Sequence, residues 1–302
     1  MSNNLRFFEY TSVQAVKDLD AIWYASADFT DQQILQKIRW TSAYMNSITK
    51  RWFIPLRETI DLSGDGSNIL WDSEHRVPIL EIKSIYEVDN RDEYGAIEDK
   101  TIIASGSDVV IEGVLLRSPD GYWSAGIKNY QVDIVRGKME DTGKVETTLA
   151  ADLSVGAGSM TLASVDGIYT GDYLVVDGDF GAIVRSVDTG TNVVGISEVL
   201  AGQLRPDPKV AGSSVVRYGR IPYAAEEACL ILVHSDLGPG GSGMIGSQLA
   251  GPMVSETTDN YKYTIAAGSY KGDTITTGNP RVDMLLASLQ DPGVVAVTEG
   301  VV

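Results

Sequence analysis

The strongest periodic pattern in the chain lies in residues 30–53, TDQQILQKIRWTSAYMNSITKRWF. Its apolar residues recur at the spacing of one helical face: Ile34, Ile38, Met45, Ile48 and Trp52. Thr30 with Gln33 three residues later is typical of a capping box at a helix start. Pro55 cannot extend a helix and restricts the residue before it, so the helix is expected to end near Trp52.

Three other stretches carry helix signals. Thr11 is expected to cap a short helix near the beginning of the sequence. Pro222 opens a second strong helix, AAEEACLILVHSDL, as a first-turn proline. Asn279 before Pro280 is a cap followed by proline at the first helical position, which predicts a helix over RVDMLLASLQ.

After the long helix the pattern changes to alternation, which indicates an antiparallel β region. Residues 56–73 predict two strands joined by a Gly-rich turn. Residues 79–88 predict a further strand, which the charged residues 89–93 are expected to end. The stretch NYQVDIVRG, residues 129–137, predicts another strand.

Residues 138–216 differ in composition, because they are rich in Gly, Val, Thr, Ser and Asp. Their short β-like runs are separated by Gly and Asp turns, which is typical of a small all-β barrel or sandwich. The predicted fold class is therefore α+β. A helical core with an antiparallel β region would be formed by residues 1–137 and 217–302, and residues 138–216 would be an inserted all-β domain.

Composition narrows the functional classes. The formal net charge of −17 over 302 residues disfavours non-specific nucleic-acid binding, because nothing offsets the repulsion of phosphates. Cys229 is the only cysteine and lies in an apolar run, so we expect it to be a buried hydrophobe. The sequence shows neither a signal peptide at its beginning nor a membrane span, so we expect folding in a reducing cytoplasm.

No motif for catalysis, a cofactor or a metal stands out, so we expect the protein not to be an enzyme. Residues 64–66 and 177–179 have Gly and Asp in turn-like order but not the ligand spacing of a calcium loop. Asp72, Glu74 and His75 form a polar cluster that is more typical of a solvated surface. A hydrolase using His75 or His234 as the base is the weakest alternative.

The order of these stretches resembles the head–tail connector (adaptor) proteins of tailed bacteriophages, over residues 8–137 and 218–290. The resemblance rests on the 30–53 helix with the following strand and Gly/Asp turn, on NYQVDIVRG, on RIPYAAEEACLILVHSDL and on TGNPRVDMLLASL. In that family the strand ending in Gly runs almost directly into the Pro-started helix, so residues 138–216 correspond to an insertion.

The resemblance implies a structural role in the neck of a virion assembled in the host cytoplasm. Such proteins form a ring, commonly of twelve subunits, beneath the portal protein. The ring extends a channel through which DNA passes without specific binding, and it docks the next component, a tail or a tail terminator or stopper. No membrane and no cofactor are involved. The alternative is a virion protein whose β insert binds a glycan or another surface.

Three regions are candidates for contact with neighbours in such an assembly. The first is the end of the long helix, the second is the Gly-rich loop 238–252, and the third is the apolar, β-prone segment 293–302. Their interaction residues are Lys50, Arg51 and Trp52 in the first, Met244, Ile245 and Leu249 in the second, and Val294, Val295, Val297, Val301 and Val302 in the third.

Overall fold

The computed structural model describes eleven parts of the chain, and the statements below concern these parts. They are residues 9–71, 77–91, 97–105, 109–118, 121–178, 180–197, 208–239, 256–258, 261–263, 277 and 279–289. The chain divides into two compact units, one of Met1–Thr49 with Tyr223–Val302 and one of Lys50–Pro222.

The described elements comprise five helices and fifteen strands. The helices are α1 Val13–Leu19, α2 Ala21–Ser26, α3 Asp31–Thr49, α4 Tyr223–Leu237 and α5 Pro280–Leu289. The strands are β1 Leu56–Gly64, β2 Ile69–Trp71, β3 Ile79–Arg91, β4 Ile97–Ser105, β5 Val110–Glu112, β6 Leu115–Arg117, β7 Gly126–Arg136, β8 Val145–Thr148, β9 Ser159–Thr161, β10 Asp172–Val176, β11 Phe180–Asp188, β12 Val193–Ile196, β13 Ser214–Arg220, β14 Glu256–Thr258 and β15 Tyr261–Tyr263.

The start of α3 confirms the predicted capping box. The backbone N–H of Thr30 donates to Gln33 Oε1 at 2.8 Å, and the N–H of Gln33 donates to Thr30 Oγ1 at 3.3 Å. The helix ends at Thr49, before the predicted end near Trp52. Lys50 follows it with φ at 56°, the left-handed conformation that commonly terminates helices.

The other helix starts were predicted with mixed success. Asn279 caps α5, because its Oδ1 accepts from the N–H groups of Arg281 at 3.0 Å and Val282 at 3.3 Å, and Pro280 is the first helical residue. The predicted cap of α1 at Thr11 is wrong by one residue. Ser12 is the cap, and its hydroxyl accepts from the N–H of Ala15 at 3.1 Å.

The first unit buries the apolar face of α3 against α1, α4 and α5. Its fully buried side chains include Val16, Ile34, Ile38, Met45, Ala225, Ala228, Cys229, Val233, Val282 and Leu286. Small polar groups are also sealed in this core. Ser42 Oγ lies 3.6 Å from Cys229 Sγ and accepts from the N–H of Tyr10 at 3.2 Å. The long helix is therefore held by the far end of the chain and by a short segment before α1.

The second unit consists of antiparallel sheets. One has four strands in the order β1-β7-β3-β4, one has three in the order β2-β6-β5, and one has six in the order β8-β13-β10-β11-β12-β9. The core of the first two contains Leu62, Leu70, Ile79, Ile82, Ile85, Val109, Leu116, Trp123, Tyr130, Val132 and Ile134. Trp123 and Tyr130 pack edge to face with ring centroids 5.3 Å apart.

The six-stranded sheet closes on itself. Its two outer strands meet at a bridge between Leu149 and Leu162, beside backbone hydrogen bonds of 2.8 Å from Ala150 to Thr161 and 2.9 Å from Ala163 to Thr148. The resulting barrel has its own core of fourteen buried residues. That core comprises Leu149, Leu153, Met160, Leu162, Val165, Ile168, Leu174, Val176, Phe180, Ala182, Val184, Val194, Ile196 and Val215.

The barrel begins and ends at one place. Glu140 and Arg220 form an antiparallel bridge with hydrogen bonds of 2.9 and 2.8 Å, so the incoming and outgoing chains run side by side. We call this paired segment the stem. The domain boundaries predicted at residues 138 and 216 stay a prediction.

The predicted α+β fold with a helical core is wrong, because the described part of the chain is mostly β, and its second unit alone has thirteen strands in three antiparallel sheets. Strong caps and wide apolar faces make helices conspicuous in sequence, whereas strands with one solvated face carry weaker signals. The strand expected to be ended by the charged residues 89–93 ends within them, at Arg91. No helix in the described ranges combines the length and hydropathy needed to span a bilayer.

The left-handed residue after α3 generates a testable prediction. Lys50→Gly removes the Cβ that disfavours this conformation, so the free energy of unfolding should rise by about 0.5–1 kcal/mol. Lys50→Ala is the matched control, because it removes the charge but keeps the Cβ, and it should bring no gain. Urea titration of the three proteins is the measurement, and equal or lower stability of the glycine variant would contradict the prediction.

Candidate functional site

The predicted interaction residues at the end of α3 have different environments. Lys50 is exposed, Arg51 is buried, and Trp52 is half-buried. The candidates in the loop 238–252 and in the segment 293–302 lie outside the described residues. Their part in contacts with neighbours stays a prediction, and within the Lys50–Trp52 group Lys50 is the residue with an exposed side chain.

Trp52 is hydrogen-bonded to the backbone where β7 leads into the stem. Its indole Nε1 donates to the carbonyl of Arg136 at 3.2 Å, and its own carbonyl accepts from the N–H of Lys138 at 2.9 Å. Gly137 lies between these two residues, and a Cβ there would be 2.4 Å from the carbonyl oxygen of Ile54. The chain therefore passes this corner in close backbone contact that only glycine permits.

A buried cation completes the same corner. The Arg136 side chain is 1% exposed, ion-pairs with Glu58 of β1, and has its guanidinium carbon 5.0 Å from the centroid of the Trp52 ring. A buried charge is tolerated only where it is paired, and removal of one partner is strongly unfavourable. Arg136 and Trp52 thus have a structural role between β1, β7 and the stem.

A second polar cluster joins the four-stranded sheet to the barrel. Glu81 of β3 accepts from Lys83 Nζ at 2.7 Å, from Lys144 Nζ at 2.6 Å and from the Tyr218 hydroxyl at 2.6 Å. Lys144 directly precedes β8, and Tyr218 belongs to β13. We call these four residues the Glu81 cluster. The Glu81 side chain is 15% exposed, so its carboxylate is largely removed from water.

The electrostatics of the cluster follow from this burial. Burial alone would raise the pKa of Glu81, but the hydrogen bonds from Lys144, Lys83 and Tyr218 outweigh it, and the pKa is lowered. Burial, with the hydrogen bond to Glu81 as the next cause, raises the pKa of Tyr218 above its ordinary value. At neutral pH the cluster therefore contains an ionised carboxylate, two ammonium groups and a neutral phenol.

The charges around the cluster are also paired. Arg57 of β1 binds Asp133 of β7, with Nη2–Oδ2 at 2.5 Å and Nε–Oδ1 at 3.0 Å. Lys144 makes a second ion pair with Glu146. Acid and base are thus matched locally, which is the arrangement of a structural contact rather than of a group poised for proton transfer.

The structure describes Cys229 and one of the two histidines considered as a base, His234. Burial raises the pKa of the Cys229 thiol to about 12, which keeps it protonated and unreactive. His234 lies in the last turn of α4, with Nδ1 3.3 Å from the hydroxyl of Tyr24. Burial, with Asp20 as a smaller cause, raises the pKa of that hydroxyl. Asp72, Glu74 and His75 lie outside the described residues.

Sequence reasoning missed both structural clusters. Alternation in β3 places Glu81 and Lys83 on one face, and this pair was visible in the sequence. Its other partners, Lys144 and Tyr218, are 63 and 137 residues away from Glu81. No local pattern identifies contacts over such separations, and Arg136 likewise looks like an ordinary strand end.

The Glu81 cluster generates a prediction on stability and its pH dependence. Glu81→Gln preserves shape but removes the charge that pairs with Lys83 and Lys144, so the free energy of unfolding at pH 7 should fall by about 1–2 kcal/mol. Because the pKa of Glu81 is lowered in the folded state, its stabilising contribution is complete above the unfolded pKa of about 4.3 and is lost as pH falls through the lower folded value.

Urea titrations at a series of pH values measure this effect. The wild type and Glu81→Gln should differ at pH 7 and converge in acid. Glu112→Gln is the matched control, because Glu112 makes an exposed ion pair with Arg117 and should contribute little. Equal stability at pH 7, or a difference that persists at low pH, would show that Glu81 does not hold this contact by its charge.

The described polar groups fix parts of the chain to one another. In the residues that the structure describes, no three His, Cys, Asp or Glu side chains are grouped to hold a metal ion. No known protein-family model matches this chain, and no curated protein matches it significantly in sequence.

Proposed function

We propose that this protein is a structural component of a tailed-bacteriophage virion, a head–tail adaptor. In this role, copies of the chain form a ring, of twelve subunits by the family pattern, on the portal protein. The ring extends the DNA channel and presents a platform for the next tail component. The protein acts through its contacts and performs no chemical step.

One observation carries the proposal. The three helical stretches on which the resemblance rests are far apart in sequence, yet they pack into one unit. Lys37 of α3 ion-pairs with Asp236 of α4, and Arg281 of α5 ion-pairs with Glu227 of α4. The three stretches therefore pack as one helical unit, which supports the proposal.

The charge distribution supports a channel-lining role. The chain carries 41 acidic and 24 basic residues. Several of the basic side chains, such as Lys37, Arg57 and Arg136, are paired with carboxylates of the same chain. A surface with this excess of negative charge repels phosphates, so DNA would move past it without adhering.

The structure of the barrel favours its proposed role as a platform for the next tail component. It has its own hydrophobic core and is fixed by the stem and by the Glu81 cluster, so a partner bound to it would have a defined position within Lys50–Pro222. The same independence also favours the second candidate, a barrel that attaches the virion to a glycan or another surface.

The adaptor proposal predicts a ring on the portal. The purified chain, mixed with portal rings of the same virus, should give a complex with an added ring of density by negative-stain microscopy, and native mass spectrometry should give its copy number. Portal rings that stay bare at micromolar concentrations of both proteins would contradict the proposal. A monomeric free chain would not, because heterologous ring contacts can depend on the template.

Excision of the barrel separates the two candidates. Because Glu140 and Arg220 are paired, residues 141–219 can be replaced by a short Gly–Ser turn without moving the stem ends far apart. The same variant carries Glu81→Gln, because the excision removes Lys144 and Tyr218, two partners of the Glu81 carboxylate. If the barrel is the platform, the variant should still form rings on the portal but should fail to recruit the next tail component. If particles assemble fully and lose only attachment to cells, the barrel is an attachment module. Unimpaired assembly and attachment would remove the barrel from both roles.

A further inference from the structure

We infer that the free edge of β4 is a docking site for a strand from another copy of this chain, and that residues 293–302 provide this strand. The inference rests on the proposed function, because it names the contact between neighbouring subunits of the ring.

The edge of the four-stranded sheet is open at β4. In the described parts of the chain β4 pairs with β3 alone, and it is the last strand in its sheet. An open edge presents unpaired backbone groups that can bind another strand, and proteins usually protect such edges with charged side chains. The question is therefore how the edge of β4 is protected.

Protection by charge covers only the first half of β4. Glu98, Asp99 and Lys100 are exposed there, and Lys100 donates to Gln131 at 2.7 Å. The sequence then continues with TIIAS, residues 101–105, which has no charge at all.

Two isoleucines stand out on this uncharged half. Ile102 is 60% exposed and Ile103 is 42% exposed. In the pairing of β4 with β3, Ala104 lies opposite Ile85 and Ile102 lies opposite Tyr86. Ile103 therefore has no partner residue on β3 and is the extra residue of a bulge. Bulges re-aim side chains. Here the bulge residue Ile103 and its neighbour Ile102 both expose apolar side chains to water, which is unfavourable unless another surface covers them.

Residues 293–302, GVVAVTEGVV, have the composition that fits this edge. Five of the ten are valine, one is threonine, and Glu299 is the one charged side chain. Both alternating sets of positions are mainly apolar, so the strand would offer valines whichever face meets the isoleucines. Strand addition of this kind gains affinity from main-chain hydrogen bonds and specificity from such side chains.

Chain length permits the segment to reach another molecule. The last described helix, α5, ends at Leu289, and residues 290–302 follow it. An extended chain covers about 3.3 Å per residue, which gives this segment a reach of about 40 Å. A strand passed from each copy to the next is a heterologous contact, and such contacts close into a ring in which every edge and every segment is used.

Peptide binding tests the contact directly. The chain truncated before residue 290 should bind a fluorescein-labelled peptide of residues 290–302 in the micromolar range, measured by fluorescence anisotropy. Ile102→Lys should weaken this binding about tenfold or more, because a charge replaces a side chain that becomes buried. Val110→Lys is the matched control, because Val110 is 48% exposed on β5, the outer strand of another sheet, and it should bind like the truncated parent.

Dilution then distinguishes a neighbour's segment from the chain's own. Hydrogen exchange at the amides of residues 101–103 should be slowed in the full chain at high concentration or on the portal, and dilution should remove this protection. Protection that is independent of concentration would mean an intramolecular contact and would overturn the inference. So would a truncated chain that binds no peptide, or equal effects of the two lysine variants.

Failure of this inference can be told apart from failure of the adaptor role. If full-length chains form rings on the portal but the peptide does not bind, subunits meet elsewhere and the adaptor role stands. If the peptide binds at β4 but no ring forms on the portal, the edge has a partner and the adaptor role is wrong.

Discussion

The structure depends on one long-range requirement, the burial of the apolar face of α3. Its partners α4 and α5 follow only after residues 50–222, so the two ends of this intervening segment must come close together. A series of short backbone contacts accomplishes this inside the second unit. Trp52 is bonded to Lys138, and Glu140 is bonded to Arg220 two residues before the unit ends. Closing so large a loop costs conformational entropy. The apolar side chains buried in the two sheets and in the barrel offset this cost.

Local chemistry could be predicted from the sequence, and long-range pairing could not. The capping box of Thr30 and Gln33 and the cap at Asn279 depend on side chains within three residues, and both were identified. The order of the strands depends on contacts such as those of Glu81 with Lys144 and Tyr218, which no local pattern contains. The α+β prediction failed for a different reason. Strands that bury only one face are weak sequence signals beside a capped amphipathic helix.

Charge has two separate roles in this chain. Inside the second unit, Arg136 and Glu81 are buried charges whose partners are provided by other strands, so they specify which segments meet. Across the whole chain, the excess of acidic groups sets the character of the surface. The two roles are independent, because the buried charges are satisfied by nearby partners, whereas the excess of acidic groups acts at the surface.

Cys229 has a consequence for the chemical durability of the protein. It is the only cysteine in the sequence, it is fully buried between α3 and α4, and its thiol stays protonated. In oxidising surroundings exposed thiols oxidise or link to one another, whereas reducing surroundings keep them free. With its single sulfhydryl sealed in this way, the protein keeps the same covalent structure in both environments, and its contacts do not depend on the redox state of either.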